Sequence, residues 1–123
     1  MGYMAPENAF IGHFEDDEEN AADTNEYLED QGNKVVSKAA SLDKAMKQIP
    51  TFKKKGVQVA IVDGNLGEGP ENEDGETLVK AIHDKYPDMI VIGNAMDSPI
   101  RGANKNVTKE MGLDALVDAV RKA

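Results

Sequence analysis

Four residues far apart in the sequence are candidates for a single piece of chemistry: Glu15, Asp16, Asp63 and Lys109. Asp63 closes the run Val57-Gln-Val-Ala-Ile-Val-Asp63, apolar or β-branched at most positions, and Gly64-Asn65-Leu66-Gly67-Glu68-Gly69-Pro70 follows at once. Such a run reads as a buried strand that ends abruptly in a loop. Consecutive apolar positions imply cover on both faces, as in a parallel sheet flanked by helices. In open sheets of that kind ligands bind just beyond the carboxyl ends of the strands. Glu15 and Asp16 close a second run, Ala9-Phe-Ile-Gly-His-Phe14, and Lys109 follows a third, Asn106-Val107-Thr108. If these strands are neighbours, three carboxylates meet in one crevice. They repel one another unless a cation sits between them, and an oxygen-only donor set at a small site suits Mg²⁺. Asp63 is then placed to attack a phosphoryl group, with Lys109 pairing with the added oxygens. Composition alone favours a plainer reading, with Glu15–Glu19 as a helix-capping acidic cluster and Lys109 as a surface lysine.

The elements that must position these groups alternate along the chain. After strand one and its acidic burst, a helix is expected from about Asn20 to Gln31, with Ala21, Thr24 and Leu28 inward, ended by Gly32 and Asn33. Lys34-Val35-Val36-Ser37 reads as strand two. Ser41 can cap a helix that turns Leu42, Ala45, Met46 and Ile49 inward, with Pro50 as its stop. Lys53-Lys54-Lys55 reads as a solvated connection into strand three rather than a binding patch. Beyond the loop from Gly64 to Asp74, a third helix opens at Asp74 or Gly75 and carries Leu78, Val79, Ile82 and Tyr86 on one face. Met89-Ile90-Val91-Ile92-Gly93 is strand four. The stretch from Asn94 to Asn104 is too short for a full helix, Asn106-Val107-Thr108 is a brief strand five, and Leu113, Leu116, Val117 and Val120 mark a last helix. Alternation of this kind implies right-handed crossovers and helices on both faces of the sheet. The expected fold is therefore α/β: a doubly wound, five-stranded parallel sheet of order 2-1-3-4-5, whose switch point lies between strands one and three.

Length and composition narrow the classes. A chain of 123 residues fits one domain, here 1–123, with residues 1–8 as a flexible lead-in. The absence of cysteine excludes thiol catalysis, disulfides and zinc–thiolate sites. A net charge of −9 argues against direct nucleic-acid binding. No apolar run is long enough to span a membrane, and the amino terminus lacks a signal-peptide layout, so a cytoplasmic location is expected.

The arrangement resembles the receiver domain of bacterial two-component response regulators, from Ala9 to Ala123. The resemblance rests on Phe14-Glu15-Asp16-Asp17, on Ile61-Val62-Asp63-Gly64-Asn65-Leu66, on Asp74-Gly75, and on the tail Gly102-Ala103-Asn104-Lys105-Asn106-Val107-Thr108-Lys109-Glu110. It implies a flavodoxin-like receiver fold and phosphorylation of Asp63 by a histidine kinase, a phosphotransfer protein or a small phosphodonor. It further implies Mg²⁺ held by the side chains of Glu15, Asp16 and Asp63 and by the backbone carbonyl of Asn65, with Lys109 on the phosphoryl group. Self-phosphorylation is then the only chemistry, with no separate substrate turned over. A downstream protein partner is implied but not named, and the chain is expected either to act alone through that partner or to be a fragment of a longer protein.

Several positions depart from the family pattern. Asn94 stands where the family has Thr or Ser, Asn106 replaces the switch aromatic, and Glu110 replaces a proline. The short connection between strands four and five leaves its helix reduced or absent, and the loop after Asp63 is lengthened. These departures preserve the phosphorylation site and alter the usual output surface. The main alternative is a pseudo-receiver, the same fold serving as a phosphorylation-independent interaction module. An EF-hand starting at Asp63 fails at Gly67, Glu68 and Asp74. A nucleotide loop fails because Gly64–Gly69 lacks a Gly-Lys-Ser/Thr ending. His13 and His83 have no ligand-like spacing, and His83 is expected on a helix surface. Met89, Met96 and Met111 are expected to pack.

Overall fold

A computed structural model describes residues 9–67, 72–96 and 98–123; the expected lead-in at 1–8 lies outside the described residues. The strands are β1 (Phe10–Phe14), β2 (Lys34–Ala39), β3 (Val59–Val62), β4 (Ile90–Gly93) and β5 (Lys105–Asn106). The helices are α1 (Glu18–Asp30), α2 (Leu42–Gln48), the single turn α3 (Phe52–Lys55), α4 (Glu73–Lys85) and α5 (Leu113–Arg121). All strand pairs are parallel and the order is β2-β1-β3-β4-β5. This is the doubly wound sheet expected from the alternation.

β3 explains its own composition. Every residue from Val59 to Val62 is buried, with Ala60 and Val62 in one core and Val59 and Ile61 in the other. The first core joins Phe14, Phe52, Leu66, Leu78, Ile82 and Ile100; the second joins Ile11, Leu28, Ile92, Leu116 and Val120. Each fully buried side chain of this size contributes about 1.5–3 kcal/mol, so a central strand facing two cores has no place for alternation.

Pro50 does not end the helical path after α2. It opens a 3₁₀ turn, Ile49–Thr51, where its missing N–H is not needed. The chain then continues into α3 and stops at Gly56, which is left-handed at φ 77°. The extra turn buries Phe52, which stacks between Phe14 and Tyr86 at centroid distances of 5.9 and 5.8 Å. Burial of that ring outweighs the stop signal. Lys53–Lys55 are solvated as expected, although on a helical turn rather than a loose connection.

Other expectations shift. Met46 is 39% exposed rather than inward, and Met96 and Met111 are exposed at 68% and 61%; of the three methionines expected to pack, only Met89 joins a core. α1 starts two residues early because Asp17 caps it, accepting from Asn20 N–H at 3.0 Å. β2 extends to Ala39, and α4 starts at Glu73, directly after a left-handed Asn72 whose side chain makes no capping bond. The paired part of β5 is Lys105–Asn106 instead of 106–108, yet backbone bonds from Val107 N–H to Gly93 O and from Lys109 N–H to Ala95 O, both 2.8 Å, carry the chain along β4 to Lys109.

Among the described residues between β4 and β5 there is no helix. Ile100 is fully buried in the first core, and three asparagines staple the segment around it. Asn106 Oδ1 accepts from Ile100 N–H at 2.7 Å and its Nδ2 donates to Ile100 O at 3.4 Å. Asn72 Nδ2 donates to Ser98 Oγ at 2.8 Å and reaches Pro99 O at 3.2 Å. Asn104 Oδ1 accepts from Val91 N–H at 2.8 Å and lies 3.0 Å from His83 Nε2. His83 is thus half-buried and bonded rather than a free surface residue. No helix among the described residues is long and apolar enough to cross a membrane.

Candidate functional site

The carboxyl ends of β1 and β3 meet at the switch point. Asp63 N–H donates to Phe14 O at 2.9 Å, which sets the Asp63 carboxylate beside Glu15. Glu15, Asp16 and Asp63 each place a carboxylate oxygen within 4.8 Å of the others. Glu15 and Asp63 are buried and Asp16 is exposed, so two acids form the floor and one the rim.

The acidic burst divides its labour. Glu15 and Asp16 enter the site, Asp17 caps α1, and Glu18 and Glu19 occupy its first turn, where the helix dipole favours negative charge. Capping thus accounts for Asp17 to Glu19, while Glu15 and Asp16 converge with Asp63 instead.

Lys109 reaches the cluster from across the sheet. Its Nζ lies 2.8 Å from Glu15 Oε1 and 3.3 Å from Asp63 Oδ1. The same Asp63 oxygen accepts from Gly64 N–H at 2.8 Å. Burial pushes the Asp63 carboxyl up to about 8, assisted by the hydrogen bond and charge of Glu15 and opposed by Lys109. For Lys109, burial works to lower the ammonium's value, but the bonds and charges of Glu15 and Asp63 outweigh it and hold the group above its ordinary value. One ammonium therefore leaves the carboxylate cluster undercompensated. A buried cluster of this kind is poor material for stability. Its donors are all oxygens, and the deficit is of positive charge, so the residues fit a small hard dication.

The loop after β3 is shaped by Asp74 and Gly75. Asp74 Oδ2 accepts from Leu66 N–H at 2.9 Å, and Gly75 N–H donates to Gly64 O at 2.9 Å. A Cβ at Gly75 would stand 2.7 Å from Asp63 O and 2.9 Å from Gly64 Cα, both backbone atoms. Only glycine lets α4 approach the end of β3 this closely.

Two adjoining clefts open over the cluster. One, of about 430 Å³, is lined by Glu15, Asp16, Asp63, Asn65, Asn72 and Lys109, with Met96 at its side. The other, of about 340 Å³, shares Glu15, Met96 and Lys109 and adds Asn94, Thr24 and Leu113. Asn94 is buried and lines this second cleft, not the one containing Asp63. Asn65 lines the acidic cleft and turns its own Oδ1 back to Gly67 N–H at 2.8 Å. Sequence reasoning missed Asn20, which lines both clefts, and Asn72. The available signal for Asn72 was its tolerance of left-handed backbone directly before a helix. His13 is buried in β1, its Nδ1 2.7 Å from Asn25 Oδ1; burial lowers its imidazole below the usual value, only partly offset by Asn25 and Glu15. It bridges β1 to α1 and offers no ligand to the acidic cluster.

No family model matches the chain, and no curated protein matches it by sequence. Solved structures do match in fold. A two-component response regulator from Clostridium difficile superposes with a TM-score of 0.77 at 19% identity, over 93% of each chain. The chemotaxis protein CheY4 of Vibrio cholerae gives 0.75 at 18%, over 93% of this chain and 97% of its own. A response regulator from Burkholderia pseudomallei, whose structure holds a phosphorylated aspartic acid, a calcium ion and citrate, gives 0.74 at 22%, over 91% of this chain and 66% of its own. The chain has the flavodoxin-like receiver fold of response regulators.

Proposed function

We propose that this receiver-fold chain is a phosphoacceptor module of a two-component relay and that Asp63 is the residue phosphorylated. The observation that carries the reading is the convergence of buried Asp63 and Glu15 with Asp16 and Lys109 at the switch crevice. In the proposed step a carboxylate oxygen of Asp63 attacks phosphorus and the bond from phosphorus to the donor breaks. A phosphohistidine on a kinase or phosphotransfer protein is the donor class, and its imidazole leaves with the bonding electron pair and then takes a proton. Glu15, Asp16, Asp63 and the Asn65 carbonyl would hold Mg²⁺, which when bound neutralises charge on the phosphoryl oxygens. Lys109 would exchange its contact with Asp63 Oδ1 for the transferred oxygens, and Asn94, in the adjoining cleft, is the nearest counterpart of a hydroxyl switch residue. No separate substrate is turned over. A soluble, cytoplasmic setting suits such a donor.

A second reading has one observation in its favour. The staples from Asn72, Asn104 and Asn106 hold the segment whose movement would broadcast phosphorylation, which favours a pseudo-receiver acting through fixed surfaces. Residue-resolved NMR separates the two. Mg²⁺ followed by beryllofluoride, which stands in for a phosphoryl group on a carboxylate, is expected to shift Glu15, Asp16, Asp63, Lys109 and Asn94 in the wild type and not in Asp63→Asn. Diffuse Mg²⁺ effects with no response to beryllofluoride would sink the phosphoacceptor reading and leave the pseudo-receiver.

A further inference from the structure

One side of the end of the molecule opposite the acidic cleft is basic. Seven of the fourteen basic residues lie between positions 34 and 55, with Asp43 their one acidic neighbour; the rest of the chain sets seven basic residues against twenty-two acids. Phe10 and Lys34 open β1 and β2 and pair in register, at the far end of the strands from Glu15. α3 delivers Lys53–Lys55 to the same end: a Cβ at its C-cap Gly56 would stand 3.2 Å from Phe10 Cδ2. Phe10 is 39% exposed, and all four lysines are exposed. Among the described residues Lys34, Lys53 and Lys54 make no ion pair, and Lys55 donates to the neutral Gln48 Oε1 at 2.9 Å. Protection of an edge strand accounts for Lys34, and the α3 dipole for a lysine in its last turn. Neither accounts for an exposed aromatic ring set among unpaired cations.

We propose that this patch docks an acidic polypeptide segment bearing an apolar side chain. Phe10 supplies the apolar anchor, and Lys34, Lys53, Lys54 and Lys55 meet the carboxylates. Aromatic anchors rimmed by polar contacts are the energetic centres of protein interfaces. The partner must be narrow. α1 ends in Glu26, Glu29 and Asp30, all exposed, a few residues before Lys34. A DNA duplex or an anionic bilayer laid across this end would press its phosphates against those acids, whereas a single helix or strand fits beside them. Because the patch and the acidic cleft lie at opposite ends of the sheet, a partner here leaves the cleft accessible, and the proposal does not depend on phosphorylation of Asp63.

The test is a titration of the isotope-labelled full chain, at about 0.15 M salt, with a short glutamate-rich peptide carrying a central leucine pair. Saturable shifts centred on Phe10, Lys34 and Lys53–Gly56, with Asp63 unmoved, are expected. Lys53→Ser with Lys54→Ser, or Phe10→Ser alone, is expected to weaken binding by about tenfold or more, while Lys44→Ser with Lys47→Ser on α2 changes it less than about twofold. Absent or scattered shifts overturn the proposal. So does tighter binding of a DNA duplex or of phosphatidylserine vesicles, or a shift of the same resonances on concentrating the chain alone, which would make the occupant a second copy.

Discussion

Under the proposed function, proton and Mg²⁺ compete for the same oxygens of the acidic cluster, and the size of that competition follows from Asp63. Its carboxyl is raised to about 8 by burial and by Glu15, so at neutral pH a dication must displace a proton to bind. Well below that value each pH unit weakens binding tenfold, about 1.36 kcal/mol. Between about pH 9 and pH 6 the apparent Mg²⁺ affinity is expected to fall by roughly a hundredfold, about 2.7 kcal/mol. The sign for stability is the opposite. A carboxyl whose folded value is raised stabilises the metal-free fold most below its ordinary value near 4 and loses that contribution as pH climbs through 8. Mg²⁺ should therefore raise the melting temperature much more at pH 9 than at pH 6. Isothermal titration calorimetry in buffers of different ionisation enthalpy measures both affinity and proton release; close to one proton per Mg²⁺ is expected at pH 7, and none in Asp63→Asn. Equal affinities at pH 6 and pH 9, or binding without proton release, would refute the reasoning.

Lys109→Ala removes a positive charge 3.3 Å from Asp63 Oδ1 and with it a group that holds the Asp63 carboxyl down; the pH at which Mg²⁺ binding reaches its plateau should move up, the plateau affinity should rise by about tenfold, and acceptance from a small phosphodonor, followed by mass spectrometry, is lost. Gly75→Ala drives a methyl to 2.7 Å from Asp63 O and should cost about 1–3 kcal/mol in urea denaturation, with weaker Mg²⁺ binding because Asp63 shifts. Asn106→Ala leaves Ile100 N–H without its 2.7 Å acceptor and should cost about 1–3 kcal/mol, with faster amide exchange at Ile100 and no change in Mg²⁺ affinity.

The sequence was most legible where burial on both sides suppresses choice. Val59–Val62 faces two cores, so its composition announces a central strand, and the acids that close β1 and β3 fall at the switch point once the parallel order is inferred. Lys109 was legible through its place after β5. Elements set by a single tertiary contact were not. Pro50 reads as a stop because its cost is local, while the stacking of Phe52 between Phe14 and Tyr86 that outweighs it joins residues far apart in sequence. Met96 and Met111 read as core because hydropathy takes no account of where a loop crosses the surface. Asn72, Asn104 and Asn106 act through carboxamides that substitute for backbone partners, and such a role leaves no trace in periodicity.

Those same asparagines decide how an acyl phosphate on Asp63 would be read. A signal moves only through an element with two arrangements of similar free energy. The part of the β4–β5 connection from Ser98 to Asn104 is held in one: Ile100 is fully buried, and bonds from Asn106 on one side and Asn72 on the other hold it and its neighbours. A Cβ at Gly93 would clash with Asn106 Oδ1 and stand 3.1 Å from Ile100 Cβ, so the staple packs directly against β4. The other wall of the site is less constrained. Met96 stands exposed between the two clefts, and the second cleft runs from Asn94 past Lys109 to Gly112 and Leu113, with Gly112 at φ 90° and no atom near where its Cβ would be. A charge added at Asp63 draws Lys109 toward it and away from Glu15, and Lys109 is tied by its backbone to Ala95, next to Met96. Under the proposed function, the readable consequence of phosphorylation is therefore a change at Met96 and Leu113 beside α1, while the stapled part of the β4–β5 connection, from Ser98 to Asn104, stays as it is.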